Sequence, residues 1–217
     1  MKSSPVPFKN IPTLFDIKAE YPAVKGLFFD MDGTLFNTEP IHTRALLKIG
    51  EKYNITPPYS ADEVHHLMVG KADHLLFDII QNWEGMPKGW KVHDFVNEKN
   101  INVIELILKT PVSEYLYPEM STLIKNAHKE GFFMALVTSS EKVVTDELLK
   151  ISGLDHFFHL ILTRDDCPKH KPDPWPYLKA VELSKLQQHQ IIIFEDSTVG
   201  LEAAISSAHH VIKVEWY

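Results

Sequence analysis

The chain has 217 residues, 44% of them hydrophobic and 24% charged, enough for one full core and a smaller insert. Its net charge of -7 argues against a nucleic-acid surface, and its one cysteine, Cys167, excludes internal disulfides and points to a reducing, cytoplasmic compartment. No apolar run approaches membrane-spanning length, and residues 1–22 carry prolines and charges without the apolar centre of a signal peptide.

Residues 1–23 read as an N-terminal extension lying on the surface. The apolar run Val24 to Phe29 follows. It is short and has no polar alternation, so it predicts a fully buried strand of a parallel sheet. It leads into Asp30-Met31-Asp32-Gly33-Thr34. Asp30 and Asp32 are two apart and point the same way, and Gly33 permits the turn after them. Thr38 to Tyr53 predicts a helix with Asn37 or Thr38 as N-cap, ended by Asn54 and Pro57-Pro58. Ala61 to Met68, His74 to Asn82 and Val92 to Leu108 are further candidate helices, and no strand-like run separates them.

From Pro118 the rhythm changes. Helices are predicted from Pro118 to before Gly131, over Glu141 to Ser152, from Asp173 to about Leu186 and over Thr198 to Ser207. Strands are predicted over Phe132 to Val137, Phe158 to Leu162, Gln190 to Phe194 and Val211 to Val214. This alternation implies an α/β fold, a Rossmann-like parallel sheet with right-handed crossovers. Residues 24–38 and 115–217 form the predicted core, and 39–114 a small helical insert after the first strand.

Ligands of open α/β sheets bind outside the carboxyl ends of the strands. Four such ends carry polar residues: Asp30 and Asp32; Thr138-Ser139-Ser140; Lys169 and Lys171; and Glu195-Asp196-Ser197. Two unit charges about 4 Å apart cost roughly 4 kcal/mol at an effective dielectric near 20, and one lysine does not neutralise four carboxylates. A few hard oxygen ligands beside a phosphate suit Mg²⁺. Asp30, Asp32 through its backbone carbonyl, Asp196 and Glu195, directly or through water, are the expected ligands. The twelve histidines show no metal-ligand spacing.

These residues carry a resemblance to the haloacid dehalogenase superfamily. Asp30 to Thr34 is similar to its first motif, Thr138 to its second, Lys171 before Pro172 to its third, and Glu195-Asp196 to its fourth. The resemblance spans roughly Lys25 to Val214, and the four motifs in order and spacing make it specific. It implies a five-stranded core, and a helical cap of the kind found in β-phosphoglucomutase-like and small-molecule phosphatase members. Within that cap Thr38-Glu39-Pro40 and His42 resemble the hinge, Val69-Gly70-Lys71 a glycine-containing loop, and Lys99-Asn100 a recurring pair. Asp73 departs from the mutases, which carry a phosphate-binding Arg there, and Asn37 stands where an Asp is common.

The resemblance implies Asp30 as the nucleophile that becomes an aspartyl phosphate, and Asp32 as general acid and then base. Thr138 and Lys171, with Mg²⁺, would neutralise the phosphoryl oxygens. Ser139, His42, Lys71 and Lys99 are the expected substrate contacts. A halide leaves without a proton, so the acid at position 32 fits an alkoxide leaving group instead. The expected activity is therefore a Mg²⁺-dependent phosphatase acting on a small phosphorylated metabolite, with no nucleic-acid or membrane partner. A phosphomutase of the β-phosphoglucomutase type and a non-catalytic binding protein on the same fold are the alternatives.

Overall fold

A computed structural model describes residues 6–8 (backbone only), 11–60, 63, 73–208 and 210–215. The chain divides into two compact units. One holds residues 1–37 and 112–217, the other residues 38–111.

The first unit is built on a parallel sheet of six strands. In chain order these are β1 (Val6–Phe8), β2 (Gly26–Phe29), β3 (Phe133–Val137), β4 (Leu160–Leu162), β5 (Ile191–Glu195) and β6 (His210–Val214). Their spatial order is β1-β6-β5-β2-β3-β4, and every pairing is parallel. The buried run before Asp30 therefore lies in the middle of the sheet, between β5 and β3. All four residues of β2 are buried, as an unalternating apolar run requires when both faces of a sheet are covered.

The side chains alternate as a strand demands. Phe28, Ala135, Val137, Ile191, Ile193 and Val211 pack on one face against Tyr177 and Ala180 of helix α7 (Trp175–Ser184) and Ala203 and Ala204 of α8 (Thr198–Ile205). Phe29 and Phe194 lie on adjacent strands and stack at 4.9 Å. Burying each large apolar side chain of this kind is worth about 1.5–3 kcal/mol.

The N-terminal stretch, expected as a surface extension, contributes to this unit. β1 adds to the edge of the sheet by pairing with β6 in the register Val6 with Ile212 and Phe8 with Val214. Pro7 is tolerated because an edge strand has one side without a ladder partner. Helix α1 (Leu14–Glu20) opens with a capping box, Thr13 and Asp16 exchanging hydrogen bonds, and buries Leu14 and Ile17. The ring of Tyr21, just past its end, lies 4.7 Å from that of His210 on β6. The sheet has one strand more than the five expected for this reason.

The second unit holds α2 (Glu39–Tyr53), α3 (Asp73–Ile80) and α4 (Val92–Lys109). Asn54 ends α2 in the left-handed conformation, φ 51°. Ile49, Leu76, Phe77, Ile80 and Phe95 form its core, with Trp83 and Trp90 packed against them. The Trp90 ring meets Tyr53 edge-on at 5.0 Å, so both tryptophans serve this core. Among the described residues of this unit no strand occurs, only an isolated bridge between Thr56 and Glu84. The expected helix over 61–68 lies almost wholly outside the described residues, as does Lys71. The other predicted elements are present with ends moved by one or two residues.

The remaining helices of the first unit are α5 (Pro118–Lys129) and α6 (Lys142–Ser152), joining β2 to β3 and β3 to β4 with α7 and α8 completing the crossovers. No described helix is long and apolar enough to cross a membrane.

Candidate active site

The site begins where β2 runs out. The Asp30 amide still donates to Phe194 O, at 3.0 Å, so the residue is held as firmly as the strand itself. Its side chain is buried, with 7% of the residue exposed. The chain then folds tightly back: Leu35 and Phe36 amides donate to Met31 O, and the Gly33 amide donates to Phe36 O at 2.7 Å. Gly33 has φ +83°. A Cβ there would also stand 2.2 Å from Asp196 Oδ2. Both facts demand glycine. The turn delivers the Thr34 hydroxyl to Asp196 Oδ1, where it donates at 2.9 Å.

Lys171 reaches the same place from the loop before α7. The Lys171–Pro172 peptide is cis. The ammonium donates to Asp30 Oδ1 at 2.6 Å, to Glu195 Oε1 at 2.7 Å and to Val137 O at 3.0 Å, which uses all three of its protons. Its side chain is 4% exposed. Lys169 is different: it is 63% exposed and pairs with Asp173 at 3.1 Å.

Glu195 is fully buried at the end of β5. Oε1 accepts from Lys171 and from the Tyr177 hydroxyl at 3.2 Å. Oε2 accepts from the Ser197 amide at 3.1 Å and its hydroxyl at 3.2 Å. An ionised carboxylate offers about four lone-pair sites, and these partners take them all.

Oxygen atoms of Asp30, Glu195 and Asp196 lie within 4.8 Å of one another. Burial pushes Asp30 well above the usual carboxylate range; Lys171 pulls it back, and Glu195, Asp196 and Asp32 drive it up again. Burial first, and then Glu195, lift Asp196 to about 6. Burial would lower the Lys171 ammonium, but Asp30 and Glu195 outweigh it and raise it well above its usual range. The sign for stability follows. An acid whose pKa is raised by folding binds its proton better in the folded state, so its ionisation opposes folding. The penalty from Asp196 sets in above its unfolded value and is complete above pH about 6.

A divalent cation fits these residues. The donors are all carboxylate oxygens, which suit Mg²⁺ or Ca²⁺ and not a thiolate- or imidazole-seeking metal. One ammonium against at least three clustered carboxylates leaves negative charge to be met. Among the described residues Asp30 and Asp196 each accept one side-chain hydrogen bond, whereas at Glu195 a cation would compete with four.

Asp32 and Thr138 stand at neighbouring strand ends. Thr138 is 3% exposed, and its Oγ accepts from the Ser140 amide at 3.0 Å. It does not cap α6, whose N-cap position is Glu141. Ser139, the expected substrate contact, is exposed. Its neighbour Ser140 donates its hydroxyl to Asp32 Oδ2 at 2.5 Å. Sequence reading passed over Ser140, yet a signal existed: in extended chain Thr138 and Ser140 share a side and Ser139 takes the other. Tyr177 carried no such signal, since its partner Glu195 is eighteen positions away.

The cap candidates lie in the second unit. His42 sits in the first turn of α2, its amide donating to Thr38 O. Lys99 of α4 forms a buried ion pair with Asp73 of α3, with 9% and 13% of the side chains exposed. Lys71 is outside the described residues.

The profile of the haloacid dehalogenase-like hydrolase family matches residues 27–214. The chain belongs to that family. It is 30% identical over 190 residues to a phosphorylated carbohydrates phosphatase of Thermotoga maritima, covering 85% of this chain and 82% of the relative. It is 28% identical over 195 residues to the fructose-1-phosphate phosphatase YqaB of Escherichia coli, covering 89% and 98%. The fold is shared with the crystal structure of CbbY from Rhodobacter sphaeroides in complex with phosphate, with TM-score 0.75 at 22% identity over 89% of this chain and 88% of that one. The matched span contains all four polar strand ends, so this haloacid dehalogenase-like hydrolase is an enzyme of that family with Asp30 at the end of its central strand.

Proposed function

We propose that the chain is a Mg²⁺-dependent phosphatase that hydrolyses a small phosphomonoester, a sugar, polyol or nucleoside phosphate, in a reducing cytoplasm. The observation that carries this reading is the setting of Asp30: a buried carboxylate, gripped by Lys171 and crowded by Glu195 and Asp196. Named phosphatases among the relatives support it.

In this reading Asp30 attacks phosphorus in line and the ester oxygen leaves. Asp32 delivers a proton to that oxygen and then takes one from the water that frees phosphate, a role worth about 10²–10⁴ in rate. Ser140 holds the Asp32 carboxyl group in place, protonated before the first step and ionised before the second. The Thr138 hydroxyl and the Lys171 ammonium stabilise the equatorial oxygens as charge shifts onto them. Lys171 exchanges its bond to Asp30 Oδ1 for a phosphoryl oxygen while keeping Glu195 and Val137. Asp30 and Asp196, with the Asp32 carbonyl and with Glu195 directly or through water, would hold Mg²⁺, which would supply the remaining positive charge. His42, Lys71 and Lys99 are the proposed contacts to the rest of the substrate.

A mutase would need a second phosphate site. Asp73 and Lys99 neutralise each other and offer no net positive charge for one. We therefore infer that water, not a second hydroxyl, reaches the aspartyl phosphate. The test is a panel of sugar, polyol and nucleoside phosphates with Mg²⁺, following free phosphate and isomer formation together by NMR. Phosphate release on every turnover is expected. Isomer formation with negligible free phosphate would replace this reading by the mutase.

A further inference from the structure

A lysine side chain is long and loses much rotational freedom when it is fixed. Lys171 must nevertheless meet a phosphoryl group within a fraction of an ångström. Its two carboxylate partners do not suffice, because Asp30 is the group that changes during the reaction. What stays constant is Glu195 and the residue beneath it, Tyr177.

Tyr177 is fully buried near the start of α7. It touches the Lys171–Glu195 pair twice. Its hydroxyl donates to Glu195 Oε1 at 3.2 Å, the same oxygen that accepts from Lys171. Its ring lies under the ammonium, with Nζ 4.7 Å from the centroid. Ammonium, carboxylate and phenol thus close a triangle. The third corner is rigid as well. Glu195 Oε2 is pinned by the Ser197 amide and hydroxyl. The bare backbone of Gly200 leaves the carboxylate its room, since a Cβ there would fall 1.7 Å from Oε1.

We propose that Tyr177 is a positioning residue for the phosphatase reaction, fixing Lys171 through its ring and through Glu195. It rests on the reading given above for Lys171. Core packing does not account for the side chain, because phenylalanine would fill the same apolar space without a polar atom to satisfy. A buried hydroxyl is costly unless bonded, and here it is bonded to the Glu195 carboxylate of the candidate site. A phenol is protonated at neutral pH, so it donates.

The substitution Tyr177→Phe keeps the ring and removes the hydroxyl; Tyr177→Leu removes both. Positioning errors weaken contacts that tighten in the transition state, so they reduce kcat and spare KM. Tyr177→Phe should lower kcat about tenfold, and Tyr177→Leu about a hundredfold, with KM within about twofold. A second readout is independent of turnover. The Lys171 ammonium, with all its protons bonded, should give a slowly exchanging ¹⁵N–¹H NMR signal, and Tyr177→Phe should shift or broaden it. A folded Tyr177→Phe protein with wild-type kcat and an unchanged Lys171 signal would overturn the proposal. So would a loss fully explained by a smaller folded fraction in thermal melting. If the wild-type protein releases no phosphate from any ester, the phosphatase reading fails by itself, and the NMR comparison still decides whether Tyr177 fixes Lys171.

Discussion

Two buried lysines among the described residues sit against carboxylates, and their surroundings differ in one respect. In the helical unit Lys99 meets Asp73, one positive charge for one negative, and the pair is complete. In the sheet unit Lys171 meets Asp30 and Glu195, with Asp196 beside them and Asp32 at the same strand end. A balanced buried pair satisfies its own charge and needs nothing more from outside. An unbalanced one is held together only by the fold, and its cost is visible in the raised pKa values of Asp30 and Asp196. Such imbalance at the carboxyl ends of parallel strands is a sign of chemistry. The contrast is what makes Lys171 the lysine proposed for the reaction, whereas Lys99 is already paired within its own unit.

The largest effect should come from the group at the centre of the imbalance. Asp30→Asn keeps the shape and removes the carboxylate proposed as nucleophile, so turnover should fall by at least about 10⁴-fold while the far-ultraviolet spectrum stays native. Steady-state turnover in a well-folded Asn variant would remove Asp30 from that role.

Next comes the choice of lysine. Lys171→Ala should lose about 10²–10³ in kcat/KM, since it deletes a charge aimed at the developing negative oxygens. Lys169→Ala, exposed and paired only with Asp173, should stay within about twofold. Equal losses from the two variants would mean that position, the basis of the distinction, does not matter.

The smallest effect tests the balanced pair. Lys99→Met leaves the partly buried Asp73 without this partner and should cost about 1–3 kcal/mol of stability in urea unfolding. Adding Asp73→Leu should restore most of it, because two well-packed apolar groups can replace a buried ion pair. If the double variant stays as unstable as the single one, the pair is more than a self-contained neutral contact.

The sequence was most readable where information is local. The run Val24 to Phe29 and the two aspartates after it are contiguous, and the structure buries the strand at the centre of the sheet. Gly33 was legible as a turn residue, but its second reason, the 2.2 Å approach to Asp196 Oδ2, joins segments more than 160 residues apart. β1 was not legible. It has three residues with a proline in the middle, and only its partner β6 makes it a strand. The socket around Glu195 was equally hidden. Tyr177, Ser197 and Gly200 converge on that carboxylate because α7 and α8 both pack on the same sheet face. The ion pair of Lys99 was also hidden, because its partner, Asp73, lies on another helix twenty-six positions away.

The central claim is that the unbalanced cluster is completed by Mg²⁺ and works only then. It is tested by titrating Mg²⁺ into chelator-treated protein while following phosphate release and melting temperature in the same samples. Phosphate release should saturate around the Kd, and the melting temperature should climb with the logarithm of the Mg²⁺ concentration above it. At a Mg²⁺ concentration a hundred times its Kd the added stability should be about 2.7 kcal/mol, and at one fixed Mg²⁺ concentration the gain should be larger above pH about 6, where Asp196 is ionised, than below it. Undiminished phosphate release in excess chelator, or a melting temperature indifferent to Mg²⁺, would contradict the account.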